Sequence, residues 1–306
     1  IFITGLARAG TTNLLNNLYS SKNFGSFTYK YMPFILSPVI AKTFSYFNRK
    51  SVLKLKERLH KDGIYIDINS PECLEEVFWI KSNIDFSGKV ISLKDDINSD
   101  ILNAYSYLIN RFSEIEGKEN MIIKNNNNHT RLGALSKYFE NSKFLIMFRD
   151  PLAHASSLFN QHRNFLAIQK KDPFVLEYMN LIGHKEFGKN ATPFIYETDL
   201  ITLKKKENNK TIDYWLLQWI NTYNWILRSN LLDRKNIFLI SYESLCDEPK
   251  VFSKICKLIG IDHKKNIGSF QSKNPKYSSI KDSSFEKSIL NKANQLYYEL
   301  IKRSFN

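Results

Sequence analysis

The sequence predicts an α/β fold in which a central parallel sheet is flanked by helices and carries helical insertions. Two observations predict it. The chain opens on a short apolar run that passes through a glycine-bounded loop into a segment of helical periodicity. Similar apolar, β-branched runs then alternate with helical segments, as is typical of a parallel sheet. No internal repeat or linker interrupts this alternation, so we expect one domain over residues 1–306.

The predicted strands are short apolar runs bounded by polar or turn-forming residues. Gly63–Ile68 alternates between apolar and polar residues, as a half-buried strand does. Lys143–Phe148 is continuously apolar after its first residue, as a strand buried on both faces should be. In chain order the predicted strands are Ile1–Thr4, Gly25–Thr28, Gly63–Ile68, Met121–Lys124, Lys143–Phe148 and Asn236–Ser241.

The predicted helices follow from apolar periodicity and from residues that favour helix ends. Leu14, Leu15 and Leu18 share one face of the first helix. Ser70 is the expected N-cap of a helix that has Pro71 in its first turn. In chain order the predicted helices are Thr11–Ser20, one opening at Ser70-Pro71-Glu72, Asp100–Glu114, Arg131–Phe139, one after Pro151, Ile212–Leu232, Glu248–Ile259 and Ser284–Lys302.

The loop after the first strand has the composition of an anion-binding loop. It runs from Gly5 to Gly10 and meets Thr11 and Thr12, which makes a P-loop-like G-x-x-x-x-G-T-T sequence. Backbone N–H groups in such a loop and the positive end of the following helix dipole attract phosphate. Thr11 stands where a Walker A loop has its lysine. Because Arg8 lies inside the loop instead, we expect a phosphate-bearing donor other than ATP.

A second pair of polar residues follows the most apolar strand. Arg149 ends that strand, and Ser157 lies eight residues later on the next helix. In a parallel sheet with helices on both faces, ligands lie beyond the carboxyl ends of the strands. A guanidinium group binds phosphate through two hydrogen bonds, so this pair can hold a second phosphate. Two separate phosphate sites indicate a nucleoside ligand with phosphates at both ends.

The charge balance of the chain favours anionic ligands. Its 44 Lys and Arg residues against 30 Asp and Glu residues give a formal net charge of +14 at pH 7. The basic residues are scattered along the chain, and no nucleic-acid-binding motif is present. We therefore expect an enzyme that acts on an anionic cosubstrate, and not a nucleic-acid-binding protein.

The cysteines and the hydropathy indicate a compartment. Three cysteines are too few and too widely spaced for a disulfide scaffold, so we expect free thiols and a cytoplasmic location. No apolar stretch reaches transmembrane length. The chain begins inside the first predicted strand, so we expect a truncated N-terminus and leave open a preceding signal or anchor.

The two phosphate motifs together resemble those of a known family. Sulfotransferases that use 3′-phosphoadenosine 5′-phosphosulfate (PAPS) carry R-x-G-T-T after the first strand, which matches Arg8–Thr12. They also carry R-D-P at a strand end with a serine eight residues after the arginine, which matches Arg149–Pro151 and Ser157. The chain is thus similar to the PAPS-dependent sulfotransferases, which include tyrosylprotein and glycan sulfotransferases.

Two further segments extend the resemblance to about Ile261. Lys124–Leu135 matches a strand-K-N-P-x-N-x-x-R-[IL]-x-x-L segment, with Asn126 in place of the usual proline. Tyr242–Leu245, with the later Leu258–Gly260, matches the Y-E-x-L strand–helix segment near the end of the family's fold. All four motifs occur in the family's order.

The resemblance implies transfer of the sulfuryl group of PAPS to an acceptor hydroxyl, without a metal ion. Arg8 and Lys124 would stabilise the negative charge that develops around the bridging oxygen. The residues implied to bind the cosubstrate are Arg8, Ala9, Gly10, Thr11, Thr12, Arg149 and Ser157.

A general base should take the proton of the acceptor hydroxyl. The tyrosylprotein relatives carry a glutamate just after the second strand, where this chain has Gly25–Thr28 and no acid. Glu72 and Glu76 lie four residues apart on the predicted helix and would share one face. We expect one of them to be the base, with His129 and His154 as alternatives.

The acceptor and two rival functions stay open from the sequence. The segments Tyr29–Lys61 and Lys170–Thr211 would surround the acceptor. A hydroxyl of a glycan or glycolipid is the first expectation, a tyrosyl phenol the second and a small metabolite the third. The rivals are a P-loop kinase or other nucleotide phosphotransferase, and a non-catalytic anion-binding protein.

Overall fold

The computed structural model describes residues 1–48, 55–83, 90–91, 97–196, 209–261, 270 and 286–305. The polar stretches 204–210 and 264–279, which the sequence predicts to be surface loops, lie mostly outside the described residues, as does the predicted start of the last helix at Ser284. None of the described helices has both the length and the apolar character that crossing a bilayer requires.

The strands are mostly two residues long outside the central sheet. They are β1 (Phe2–Thr4), β2 (Phe24–Gly25), β3 (Lys56–Glu57), β4 (Tyr65–Ile66), β5 (Val90–Ile91), β6 (Asn120–Met121), β7 (Ile123–Lys124), β8 (Phe144–Phe148), β9 (Ile195–Tyr196) and β10 (Ile237–Ser241).

Most of the predicted helices lie close to their expected positions, but the helix after Ser70 starts later, and the helices at Pro38–Asn48, Pro173–Leu181 and Tyr242–Asp247 were not predicted. The helices are α1 (Thr11–Tyr19), α2 (Pro38–Asn48), α3 (Glu76–Lys81), α4 (Ser99–Glu116), α5 (Leu132–Tyr138), α6 (Pro151–Lys171), α7 (Pro173–Leu181), α8 (Ile212–Arg228), α9 (Tyr242–Asp247), α10 (Pro249–Leu258) and α11 (Lys287–Arg303). A 3₁₀ segment, Asn126–Arg131, precedes α5.

The central sheet is parallel throughout, with the strand order β10-β8-β1-β7. β8 pairs with β10 along its whole length, from Phe144 opposite Ile237 to Phe148 opposite Ser241. The chain passes from β1 to β7 on one side and later to β8 on the other, so the strand order reverses at β1. A ligand site is expected beyond the carboxyl end of β1 for that reason. The predicted P-loop-like α/β fold is confirmed.

Alternate residues of the central strands face two layers of helices. Phe144, Ile146 and Phe148 of β8 pack into a core cluster that includes side chains of α4, α6, α8 and α11. Leu145 and Met147 pack into a second cluster with α1, α9 and α10. Because both faces of β8 are buried, its sequence is continuously apolar, as predicted.

The predicted strand Met121–Lys124 is divided between two sheets. β6 pairs with β2, whereas β7 joins the edge of the central sheet beside β1. The division matters for function because it places Lys124 at the carboxyl end of a central strand, next to Ile3 of β1.

The predicted start of a helix at Ser70 is wrong, because α3 begins only at Glu76. The Ser70 hydroxyl donates to the carboxylate of Asp67 and accepts from its backbone N–H, so it caps no helix. Pro71 instead bridges to Thr28 beyond β2, and the Glu72 N–H donates to the carbonyl of Phe27. The chain at Glu72 lies beside Phe27 and Thr28, where its backbone N–H is satisfied, and not in a helix.

Candidate active site

The loop between β1 and α1 has an unusual backbone. Gly5 has φ 133°, and a Cβ there would lie 2.3 Å from the Met147 carbonyl oxygen of β8. Gly10 has φ 96°, and a Cβ there would lie 2.3 Å from the ring of Tyr242. Arg8 has φ 73°, a left-handed conformation that costs energy for any residue other than glycine and is typical of functional sites. The loop is therefore fixed by close packing on both sides.

The Arg8 side chain joins the two predicted phosphate motifs. Its Nε donates to Ser157 Oγ on α6 at 3.2 Å, and its Nη1 donates to the Asp62 carboxylate at 2.6 Å. Burial lowers the pKa of Arg8, and Asp62 opposes that effect. Residues 149 positions apart in sequence thus meet at one point beyond the sheet.

The two threonines at the start of α1 are buried and face other parts of the site. Thr11 Oγ1 donates to the side-chain oxygen of Asn126 at 3.0 Å, while the Asn126 carbonyl accepts from Thr4 at the end of β1. Thr12 Oγ1 accepts a hydrogen bond from Arg58 at 3.4 Å. Asn126, which replaces the family's usual proline, therefore ties the glycine loop to the segment after β7.

Arg149 lies at the end of β8 with its side chain 10% exposed. Its guanidinium stacks over the Tyr242 ring at 5.1 Å, and its Nε is 3.9 Å from a Glu243 carboxylate oxygen. Asp150 accepts from the N–H of Ala153 and caps α6. Tyr242 contacts both Arg149 and the position of Gly10, so it separates the loop from the Arg149 site.

Lys124 and Glu72 form a buried ion pair at the carboxyl end of β7. The Nζ–Oε1 distance is 2.6 Å, and the same Glu72 oxygen accepts from the backbone N–H of Cys73. Burial alone would raise the pKa of Glu72, but Lys124 and Arg58 hold it well below its usual value. Burial alone would lower the pKa of Lys124, and Glu72 raises it instead. Both groups are therefore charged at neutral pH.

Arg8, Thr11, Thr12, Glu72 and Lys124 line one cleft, whereas Arg149 and Ser157 are not among its lining residues. Its floor is formed by the glycine loop and by Lys124, and its walls come from parts of both predicted acceptor segments. The lining residues that the motifs did not indicate are Arg58, His60, His184, Glu186 and Phe187. His60 packs edge-on against Phe165 and Phe187, and burial keeps its pKa well below the ordinary value.

Comparisons with known proteins identify the family of this chain. A model of the sulfotransferase family matches residues 1–181, more than half of the chain. The chain belongs to the sulfotransferase family. A search for relatives among curated proteins finds none.

Solved structures of sulfotransferases resemble this one. The sulfotransferase STF9 from Mycobacterium avium is 13% identical over 98% of this chain and 76% of that chain, with a TM-score of 0.50. STF1 from Mycobacterium tuberculosis is 11% identical over the same shares, with a TM-score of 0.48. At this level of identity the likeness to STF9 supports the fold alone.

Glu76 is the second of the two carboxylates predicted as the base of this sulfotransferase. It lies in the protein core and not in the cleft. Arg131 donates to both of its oxygens, at 2.5 and 3.0 Å, and Asn125 donates at 2.7 Å. The Arg131 guanidinium in turn stacks over the Trp79 ring at 4.8 Å. Glu76 and Glu72 therefore do not share a helix face, because Glu72 precedes the helix and points to Lys124.

The two histidines considered as alternative bases are fully buried. His154 Nε2 donates to the Ala7 carbonyl oxygen at 2.8 Å, which supports the glycine loop from below. His129 Nδ1 is 2.8 Å from the Tyr196 hydroxyl. Burial lowers the pKa of each to about 3, so both rings are neutral at physiological pH. Neither lines the cleft.

Proposed function

We propose that this sulfotransferase moves the sulfuryl group of PAPS to an acceptor hydroxyl. The observation that carries the proposal is the contact between Arg8 and Ser157, which brings the R-x-G-T-T loop and the R-D-P motif next to each other. A ligand that spans both must carry anionic groups at both ends of a nucleoside, and PAPS does. A nucleoside diphosphate would leave the Arg149 end unused.

The donor residues have distinct roles in this proposal. The loop from Arg8 through Ala9 and Gly10 to Thr11 and Thr12 binds the phosphosulfate with its N–H groups, its hydroxyls and the dipole of α1. Arg149 and Ser157 bind the 3′-phosphate, since a guanidinium and a hydroxyl match phosphate oxygens. The Tyr242 ring packs against the loop at Gly10 and under the Arg149 guanidinium, so it holds these two parts of the donor site next to each other.

In the transfer step the acceptor oxygen attacks sulfur in line with the bond to the 5′-phosphate oxygen. The new O–S bond forms as the old S–O bond breaks, and its electron pair leaves with the phosphate as adenosine 3′,5′-bisphosphate. Arg8 and Lys124 stabilise the charge on that oxygen. The acceptor proton passes to Glu72, which lines the cleft and is ionised beforehand.

The ion pair between Lys124 and Glu72 couples the two halves of this step. When Lys124 turns to the leaving oxygen, the Glu72 carboxylate loses its nearest cation at 2.6 Å. The pKa of Glu72 then rises toward an ordinary value. The reason is that Lys124 lowers this pKa more than Arg58 does, and without Lys124 the effect of burial is opposed less strongly. Glu72 thus becomes a stronger base once the donor is bound.

We propose a hydroxyl of a glycan or glycolipid as the acceptor. The support is the polar lining on the acceptor side of the cleft, where His60, His184 and Glu186 offer hydrogen-bonding groups for a sugar. The tyrosyl and small-metabolite alternatives have no equally specific support.

Calorimetric titration tests the donor assignment. We expect adenosine 3′,5′-bisphosphate to bind with micromolar affinity, about −8 kcal/mol, and ADP to bind weakly with or without Mg²⁺. A preference for ADP with Mg²⁺ would favour a kinase. Binding of neither ligand would reject the donor site.

A transfer assay tests the acceptor assignment. Radiolabelled PAPS is supplied with oligosaccharides and glycolipids, with tyrosyl peptides, or with small phenols and alcohols. We expect label in the first group, and Arg8→Ala should abolish it. Label only in another group would overturn the glycan assignment while leaving sulfuryl transfer intact.

A further inference from the structure

We propose that Arg58 is a third cation for the sulfuryl group, and that the Asp62 carboxylate holds the place between Arg8 and Arg58 that the sulfuryl oxygens take in the donor complex. Both residues belong to the hairpin of β3 and β4, which no motif covers. The inference rests on the proposed function, since it assumes that the donor is PAPS.

The position of Arg58 is unusual for a side chain on a surface hairpin. Its side chain is only 9% exposed, although its neighbours Glu57 and Leu59 are exposed. Its Nη1 points into the cleft, 3.4 Å from the Thr12 hydroxyl and 3.5 Å from a Glu72 oxygen. A buried guanidinium is costly unless it is bound by anions. Arg58 thus reaches the same point as the end of the glycine loop and the proposed base.

Asp62 binds both arginines at once. One oxygen, Oδ2, accepts from Arg8 Nη1 and from Arg58 Nη2, each at 2.6 Å. The second oxygen accepts from Arg58 Nε at 3.0 Å. An oxyanion held between two guanidinium groups in this way resembles the arrangement that guanidinium groups form with a sulfate or phosphate ester. The carboxylate therefore marks an anion site between the loop and the hairpin.

The charges around the cleft favour an exchange of anions. Arg8, Arg58 and Lys124 are close to the carboxylates of Asp62 and Glu72. A phosphosulfate bound at the loop adds negative charge within a few ångströms of Asp62, and like charges at that distance repel strongly in a partly buried site. The donor therefore replaces Asp62 as the anion between Arg8 and Arg58, and Asp62 moves toward solvent.

The movement involves the tip of the hairpin and not a strand of the central sheet. Its antiparallel ladder consists of Lys56 opposite Ile66 and Glu57 opposite Tyr65, and Asp62 lies in the tip beyond it. Gly63, next to Asp62, has φ 74°, a conformation that glycine adopts readily. The tip can therefore rearrange without disturbing the central sheet.

The test compares the affinities for PAPS and for adenosine 3′,5′-bisphosphate, which lacks the sulfuryl group. In Arg58→Gln we expect the affinity for PAPS to fall about tenfold to a hundredfold and that for the bisphosphate to change little. Arg58→Lys should restore part of the loss. Asp62→Asn should raise the affinity for PAPS, because it removes the competing anion.

Lys61→Gln is the matched control, since it removes one positive charge from an exposed position on the same hairpin tip. It should leave both affinities unchanged. Equal losses for both ligands in Arg58→Gln, or weaker PAPS binding in Asp62→Asn, would overturn the inference. If Arg58→Gln does not fold, Arg58→Lys and Asp62→Asn decide the matter in the same assay. Failure of the unmodified protein to bind the bisphosphate would instead reject the proposed function.

Discussion

Glu72 and Glu76 are four residues apart and both end in buried ion pairs, but they belong to two different regions of the molecule. Glu72 and Lys124 lie beside the cleft, where a ligand can reach them. Glu76 and Arg131 lie in the core, where Asn125 and Trp79 enclose them. A similar pair of charges is therefore open to a ligand in one region and enclosed by the core in the other, and we propose a chemical role only for the first.

Glu75, which lies between Glu72 and Glu76 in the sequence, shows the same difference in its pKa. Burial raises the pKa of Glu75 to about 8, and the nearby Glu76 adds to the effect. Glu72 lies three residues before Glu75 and is also buried, but Lys124 and Arg58 lower its pKa. The direction of the shift is decided by the cations within reach and not by the depth of burial.

The largest effect is expected at the cleft. Glu72→Gln should lower turnover by about 10²- to 10⁴-fold, because the amide cannot accept the acceptor proton. The affinity for adenosine 3′,5′-bisphosphate should stay the same, and steady-state kinetics with calorimetry measure both. Glu177→Gln, an exposed change on α7, is the control. Retained turnover would place the base elsewhere.

The core pair should affect stability instead. Glu76→Gln should lower the free energy of unfolding by about 3–5 kcal/mol, because Arg131 is left buried without its carboxylate. Urea denaturation measures the change. Replacing both partners, Glu76→Gln with Arg131→Met, should cost less than the sum of the single changes. An additive result would mean that the two side chains do not depend on each other.

The pH dependence of stability should be linked to Glu75. Its folded pKa of about 8 is above the ordinary 4.5, so this group favours folding most below pH 4.5. Stability should then decline as the pH rises to about 8, because the unfolded chain releases the proton first. Glu75→Gln should flatten that decline by a few kcal/mol in denaturation curves at several pH values. An unchanged decline would assign it to other groups.

The smallest effect is expected on α6. Ser157→Ala should weaken binding of adenosine 3′,5′-bisphosphate by about 1 kcal/mol, roughly fivefold, through loss of one hydrogen bond. Ser156→Ala is a matched control, since its hydroxyl donates to the Leu152 carbonyl within the helix. Equal effects from both changes would point to helix packing and not to ligand contact.

The parts of the site that the sequence predicts lie on regular elements of the sheet. Arg8 follows β1, Lys124 ends β7 and Arg149 ends β8, and parallel strands bring these ends together. Local sequence patterns were therefore sufficient to predict the fold and the strand ends at which Arg8, Lys124 and Arg149 lie.

The hairpin and the course of the chain at Glu72 could not be predicted in the same way. Arg58 reaches Thr12 across 46 residues, and no local pattern encodes such a contact. The Asp62-Gly63 pair is a turn signal that could have indicated the hairpin. Ser70 has the local features of an N-cap, but pairing of Pro71 with Thr28 overrides them. Tertiary contacts decided both cases.

The most direct test of the account compares adenosine 3′,5′-bisphosphate with adenosine 5′-phosphate in the unmodified protein and in Arg149→Ala. Arg163→Ala, an exposed arginine on α6, is the control. If Arg8 and Arg149 bind opposite ends of one donor, Arg149→Ala should weaken only the bisphosphate, by about tenfold to a hundredfold. Equal weakening of both ligands would contradict the assignment of Arg149 to the 3′-phosphate and with it the single site that unites the two motifs.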